Sequence, residues 1–364
     1  MSGATTIRLI EAYNQLATPV RFLMGFFRSP QQNFHDTEEV EIDVQRSGEE
    51  IAVVVQDLNT GYRQNVQDLY VNKGFKPPVF SESGPIKVHD LMKRVPGQNP
   101  FMTPDFQANA ITRAFDIFRK LEEKIRRTME LMAAQVLQTG TITLIDNNGV
   151  ALYTLDFQPK SSHFPTASVP WISGSATPMA DIKTLAEQIR IDGLSDPDTL
   201  IFGENAFEFF IEDAQVQQRL GKDQVRISMG EVVPSVRGQG ATYMGTIWIN
   251  SYRFDMWTYK GRYNHPQTSV STLYLDPDKI IVMDSNARLD ATFGGVPMLV
   301  PPDARVLPYL PGRISNQSGS VDIFSNAWIE PNGKVLNIGA DSRPLMVPTA
   351  IDRFGCLDTQ ASGT

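Results

Sequence analysis

The sequence has little of what most enzymes and secreted scaffolds are built on. It contains one cysteine, Cys356, in 364 residues, which excludes an intramolecular disulfide framework and any zinc site made from several thiolates. Its four histidines, His35, His89, His163 and His265, are scattered over both halves, and no spacing among them favours a Ser–His or Cys–His nucleophilic pair. Long apolar runs are missing: Ile51 to Val55 and Val296 to Val300 fall far short of the roughly 18 residues of a membrane-crossing helix. Positive charge is short as well. Lys plus Arg is 33 against Asp plus Glu at 41, a formal net charge of −8, which excludes a globally basic nucleic-acid binder and leaves room only for a local basic patch. Neither a GxxxxGK[ST] loop nor a strand-linked GxGxxG occurs; Gly238-Gln239-Gly240 begins the latter, but Gly245 is misplaced.

What is present describes an ordinary soluble chain, 41% apolar and 20% charged, long enough for about two domains. Twenty-four prolines and 26 glycines imply many turns and irregular connections. Arg8, Glu11 and Arg21 interrupt the N-terminal apolar character, so no signal-peptide pattern forms and the chain reads as made in the cytosol. The sequon Asn316-Gln317-Ser318 carries no weight without secretion.

Residues 1 to 34 carry Arg8, Arg21 and Arg28 against Glu11, around an aromatic cluster from Arg21 to Arg28. Residues 35 to 50 reverse the sign, with seven acids against Arg46. Phe22, Phe26 and Phe27 fit either a short core helix or an arm laid on a neighbouring subunit. Val40, Ile42 and Val44 alternate with Glu39, Glu41 and Asp43, a half-buried strand, and Ile51 to Val55 is a second. From there to Val95 no helical period appears, which is more loop than a compact core tolerates. A projecting β-hairpin explains the stretch, with arms of about 15 to 20 residues reaching about 50 to 65 Å. Thr103, Pro104 and Asp105 then open a helix. Its stripe is Ile111, Ala114, Phe115, Phe118, Leu121, Ile125, Met129, Met132 and Val136, and Gly140 closes it. Asp116/Lys120, Glu122/Arg126 and Glu123/Arg127 pair at i, i+4 on the other face. Roughly 36 residues give about 54 Å, the length of a helix lying across a sheet, with a dimeric coiled coil as the lesser reading.

A hairpin follows from Thr141 to Phe157 around Asp146-Asn147-Asn148-Gly149. Residues 158 to 178 read as a boundary. Beyond it come helices at Pro178 to Ile189 and Asn205 to Leu220 and strands at Thr199 to Phe202, Thr246 to Ile249, Arg253 to Tyr259, Lys279 to Met283 and Val321 to Ile329. Asn332-Gly333 turns into Lys334 to Ile338, and Arg343 to Val347 is the last apolar run. Asp196-Pro197-Asp198 and Asp276-Pro277-Asp278 offer paired carboxylates, read as turn chemistry before strands. Tyr243, Trp248, Trp257 and Tyr259 suggest a stacking platform, but aromatics at strand spacing serve cores and the net acidity opposes nucleic acid.

This order of parts resembles the major capsid proteins of tailed bacteriophages, the Hong Kong 97 fold, over essentially the whole chain. Within them it is most similar to the phage lambda-type major head protein, the major capsid protein E family. The residues carrying the likeness are Phe22 to Arg28 before the acidic strand, Met283 to Arg288 with Phe293-Gly294-Gly295, and Ser342 to Val347. The resemblance implies an α+β capsid fold. Its parts are an N-arm at 1–38, an E-loop at 39–95, a peripheral domain at 96–165 with spine helix 104–139, an axial α/β domain at 166–340 and a C-terminal strand and tail at 341–364. It implies a non-catalytic shell protein forming hexamers and pentamers of an icosahedral head around double-stranded DNA, in the virion after assembly in the host cytoplasm. No cofactor, metal or membrane is implied. The short arm implies a separate scaffolding protein, with a portal and a decoration protein as further partners. Arg21, Phe26, Phe27 and Arg28 in the arm, and Lys73, Phe75 and Lys76 near the E-loop tip, are the expected inter-subunit contacts. Lys73 and Lys76 have no identified partner for a covalent crosslink. Two alternatives stand beside this: a soluble α/β enzyme forming a small oligomer, and a non-viral nanocompartment shell.

Overall fold

The structure, a computed structural model, describes residues 21–30, 33–34, 40–44, 71–91, 106–146, 148–220, 225–226, 240–296, 322–330 and 333–360. The expected strand at Ile51 to Val55, the helix opening at Thr103 to Asp105, His35 and the sequon at Asn316 lie outside these residues.

The chain enters through one turn of 3-10 helix, Met24–Phe26. Strands β1 (Val40–Val44) and β2 (Val71–Phe75) pair antiparallel, from Val40 opposite Phe75 to Val44 opposite Val71. That register makes them the two legs of one hairpin. Pro77 and Pro78 end β2, and β3 (Phe80–Lys87) follows. Helix α1 (Phe106–Thr139) has 34 residues, about 51 Å at ~1.5 Å per residue. Its C-terminal half is core: Ile125, Met129, Met132, Ala133, Ala134, Val136 and Leu137 are buried. Its N-terminal half is not. Phe115, expected in the inward stripe, is 70% exposed, because the apolar spacing continues beyond the part of the helix that the core covers. The expected pairs Glu122–Arg126 and Glu123–Arg127 form at 2.8 and 3.4 Å. Gly140 ends the helix at φ +67°, where its N–H donates to Val136 O.

Strands β4 (Thr141–Ile145) and β5 (Ala151–Asp156) form the next hairpin. Its turn is set by the Asp146 carboxylate, which accepts from the N–H groups of Asn148 and Val150 at 2.8 and 2.9 Å. After a strap come α2 (Pro178–Gly193) and β6 (Thr199–Phe202). The helix expected over Asn205 to Leu220 is two, α3 (Glu204–Glu212) and α4 (Ala214–Leu220). Asp213 breaks it: its carboxylate accepts from Gln215 and Val216 N–H at 3.0 Å each and starts a new helix. The chain continues as β7 (Val225–Arg226), β8 (Ala241–Ile249), β9 (Tyr252–Tyr259), β10 (Arg262–Asn264), β11 (Ser271–Leu273), β12 (Lys279–Met283) and β13 (Asp290–Phe293). Strands β14 (Phe324–Ile329), β15 (Val335–Ser342), β16 (Pro344–Val347) and β17 (Phe354–Asp358) close it.

The main sheet is six-stranded in the order β17-β12-β6-β9-β8-β7, antiparallel except for the parallel pair β6–β9. Its central strands are buried on both faces, so they read as continuous apolar runs rather than as alternation. Side chains still alternate between two cores. Leu200, Phe202, Phe254, Met256, Ile280 and Val282 pack with α2 and α3, while Ile201, Trp257, Tyr259, Ile281 and Met283 pack with α1 and residues 22–27. A second sheet, β14-β15-β3, joins the chain before α1 to the chain after residue 322.

Strand β17 replaces the expected tail. Phe354-Gly355-Cys356 makes a poor strand signal, but Gly355 is required there: a Cβ would stand 2.6 Å from His163 O on the strap. The strap then extends the sheet, with Ala167 N–H donating to Asp358 O and Asp358 N–H to Pro165 O.

Candidate functional site: the arm root and the hairpin base

Two places tie the outlying parts to the core. The first is the arm root. Glu130 lies on the apolar side of α1, fully buried. Its carboxylate accepts from Leu23 N–H and Met24 N–H at 2.8 Å each and from the Tyr259 hydroxyl at 2.7 Å. One side chain thus holds the 3-10 turn, the long helix and β9 together. Burial outweighs these bonds and holds the carboxyl above the usual carboxylate range. Burial, followed by the nearby Glu130 charge, likewise pushes Tyr259 up. Phe22 packs 5.3 Å from Trp257 and 5.5 Å from Tyr259, and Leu23 is fully buried. Farther on, Arg28 N–H donates to Leu289 O and Ala291 N–H to Arg28 O, both at 2.8 Å. Phe34 stacks on Phe293 at 4.9 Å.

The second is the hairpin base. Phe75 packs on Phe157 at 5.4 Å, and the Tyr153 hydroxyl, pushed up to about 12 by burial, donates to Lys76 O at 2.9 Å. Lys73 stands opposite Ile42 in the ladder. Residues 73 to 76 are therefore at the base of the hairpin and not near its tip. Lys73-Gly74-Phe75-Lys76-Pro77-Pro78 reads as a turn, yet Gly74 sits within β2 opposite Glu41 and the prolines mark the exit into β3.

The other expected contact residues divide. Phe27 and Phe75 are buried at 5% and 9% exposure within the subunit, and Phe26 is half-buried, edge-on to Phe22 at 5.5 Å. These aromatics serve intramolecular packing. Arg21, Arg28 and Lys76 are exposed.

Among the described residues, His163, Cys356 and the paired carboxylates are engaged structurally. His163 is buried; its Nδ1 lies 2.9 Å from Phe354 O and its Nε2 3.0 Å from Asp192 Oδ2. Asp192 also accepts from Lys160 at 2.7 Å and Gln188 at 2.6 Å. Against the cost of burial, these donors hold its carboxyl down to about 2. Cys356 is buried, and its thiol is pushed up to about 12 by that burial, the reverse of an activated nucleophile. It borders a cavity of about 410 Å³ with Gln138, Lys279 and Asp358. There the Gln138 amide is taken by Tyr274 O and Asp276 N–H at 2.8 and 3.0 Å. Of the two Asp-Pro-Asp motifs, Asp276-Pro277-Asp278 is a turn, in which Asp276 accepts from Asp278 N–H at 3.0 Å. Asp196-Pro197-Asp198 is irregular chain rather than the expected turn, with Asp196 paired to Arg190 at 3.2 Å and Asp198 accepting from Ser285 N–H at 2.7 Å. Among the described residues no group of three or more His, Cys, Asp or Glu could hold a metal. Glu130 escaped the sequence reading because Arg126 precedes it by four, the pattern of a solvated pair; the signal was that no other charge follows it in α1.

The architecture is that of phage capsid proteins. A crystal structure assigned to the capsid protein of a prophage of E. coli CFT073 superposes with a TM-score of 0.63 at 13% identity, covering 97% of this chain and 98% of that one. The capsid of Ralstonia phage GP4 gives 0.48 at 9% identity, covering 95% and 89%, and Gordonia phage Cozz 0.48 at 11%, covering 95% and 88%. No curated protein matches the chain in sequence. The model of the family described as phage major capsid protein E matches residues 5–354. The chain belongs to that family, the one the sequence resembles, and its role is that of a structural capsid protein.

Proposed function

We propose that this subunit assembles into hexamers and pentamers of a closed icosahedral head that encloses double-stranded DNA, without catalysis of its own. The observation that carries the reading is the family match over residues 5–354. The subunit's own chemistry supports it: the histidine, thiol and paired carboxylates described above are engaged in holding the fold. A shell needs many weak, symmetric contacts rather than one strong site. An acidic chain of net charge −8 encloses DNA without seizing it. Arg21, Arg28, Lys73 and Lys76 remain the contact residues of this reading, with the half-buried Phe26 beside them, and the buried Phe27 and Phe75 act through the subunit's own packing. A separate scaffolding protein, a portal and a decoration protein complete the assembly. The domain limits of the resemblance hold as a working division, with 354–358 joined to the axial part.

The hairpin tests the reading. Replacing residues 46–69 by a two-residue turn keeps β1, β2 and the Phe75–Phe157 contact. The variant is expected to stay folded, with unchanged helix content by circular dichroism, and to form no closed shells by electron microscopy. Normal shells from it would remove the hairpin from assembly.

A further inference from the structure

The bonds of Glu130 join elements more than a hundred residues apart, and the groups that make them are uncharged. Backbone N–H groups come from Leu23 and Met24, and a hydroxyl comes from Tyr259. Tyr274, the next titratable group, stacks beyond Tyr259 at 6.4 Å, is pushed up by burial and gives its hydroxyl to Arg127 O at 3.4 Å. On the arm, Arg21 lies within electrostatic reach of Arg126, Glu122, Asp322 and Glu123. On α1, Arg126 pairs with Glu122 and Asp322 at 2.8 and 2.7 Å, and Arg127 with Glu123 at 3.4 Å. The two cations of the helix nearest to Glu130 in sequence, Arg126 and Arg127, therefore serve other acids. An ionised carboxylate sealed from water with neutral partners is costly. The arm lies directly on this group: Leu23 and Met24 N–H meet the carboxyl at 2.8 Å each, and Phe22 and Leu23 are at 7% and 0% exposure.

We propose that Glu130 is a proton-linked latch for the arm root: seating residues 22–24 on the core and uptake of one proton by this carboxyl are coupled. Lifting the turn admits water, and the carboxylate then ionises with ordinary ease. Seating it excludes water and favours the neutral acid. The arm root is thus held more firmly as the medium becomes more acidic and loosens as pH rises. By linkage the seating equilibrium weakens about tenfold per pH unit between the ordinary carboxyl value and that of the seated state, and is flat outside that window. The latch depends on the subunit's own packing, so it can fail while the shell reading stands.

The test is amide hydrogen exchange of residues 22–27 in the full chain from pH 4.5, the ordinary carboxyl value, to pH 8.5, corrected for the intrinsic rate. Protection is expected to fall with pH at up to tenfold per unit, and to be independent of pH in Glu130→Gln. Tyr259→Phe keeps the acid and removes a donor to its ionised form, so the midpoint of its fall moves to higher pH. It decides the matter if Glu130→Gln does not fold. A flat profile in the native chain, an unchanged slope in Glu130→Gln or an unmoved midpoint in Tyr259→Phe would each overturn the latch.

Discussion

The hydroxyl of Tyr259 donates to the carboxylate of Glu130 at 2.7 Å across 129 positions of the chain. Strand β9 and the long helix are thereby joined by one polar bond inside an otherwise apolar core. A hydrogen bond between uncharged groups contributes about 0.5–1.5 kcal/mol. Tyr259→Phe removes this bond while leaving the ring against Phe22. Urea denaturation of the unassembled subunit is expected to show a loss of about 0.5–1.5 kcal/mol; no measurable loss would mean that the carboxyl group is satisfied without the tyrosine.

The arm root belongs to the subunit's own core before any neighbour arrives. Phe22 sits on Trp257 and Tyr259 at 5.3 and 5.5 Å. Phe22→Ala is expected to cost about 3–5 kcal/mol in the unassembled subunit. A variant as stable as the native subunit would show that these rings find their partner only in the assembly.

Asp192 sets an acid limit on the fold. Its folded carboxyl is held at about 2 by Lys160, Gln188 and His163 against the effect of burial, below the ordinary value of 3.8. The stabilisation is therefore complete above the ordinary value and is lost as pH falls through it toward about 2. On linkage it is on the order of 2 kcal/mol. Asp192→Asn is expected to be less stable at pH 7 and to show a shallower decline between pH 5 and pH 2. Parallel acid titrations of stability in the two chains would contradict this.

The sequence was most legible where burial was two-sided and turns were marked. Thr199–Phe202 and Lys279–Met283 were read to the residue, because in each a continuous apolar run directly follows an Asp-Pro-Asp motif. The long helix was read to its last residue, Thr139, while its expected start at 104 lies outside the described residues. What escaped depended on partners distant in sequence. Phe354–Asp358 is a strand because the strap lends it an edge and Gly355 lets His163 approach. Asp213 divides a helix that periodicity alone would continue. Gly74 and the two prolines disguised a hairpin base as a tip. Phe115 keeps the apolar period but outruns the core. The arm root was half legible: its aromatics stood out, while the buried acid that binds them looked like any charge on a helix face.

The most direct test of the central claim is negative-stain electron microscopy with sedimentation velocity of the full chain, co-expressed with its genomic neighbours. A capsid subunit gives closed shells tens of nanometres across and a fast, narrow boundary. A homogeneous dimer or tetramer under the same conditions would contradict the account and favour a small-oligomer enzyme.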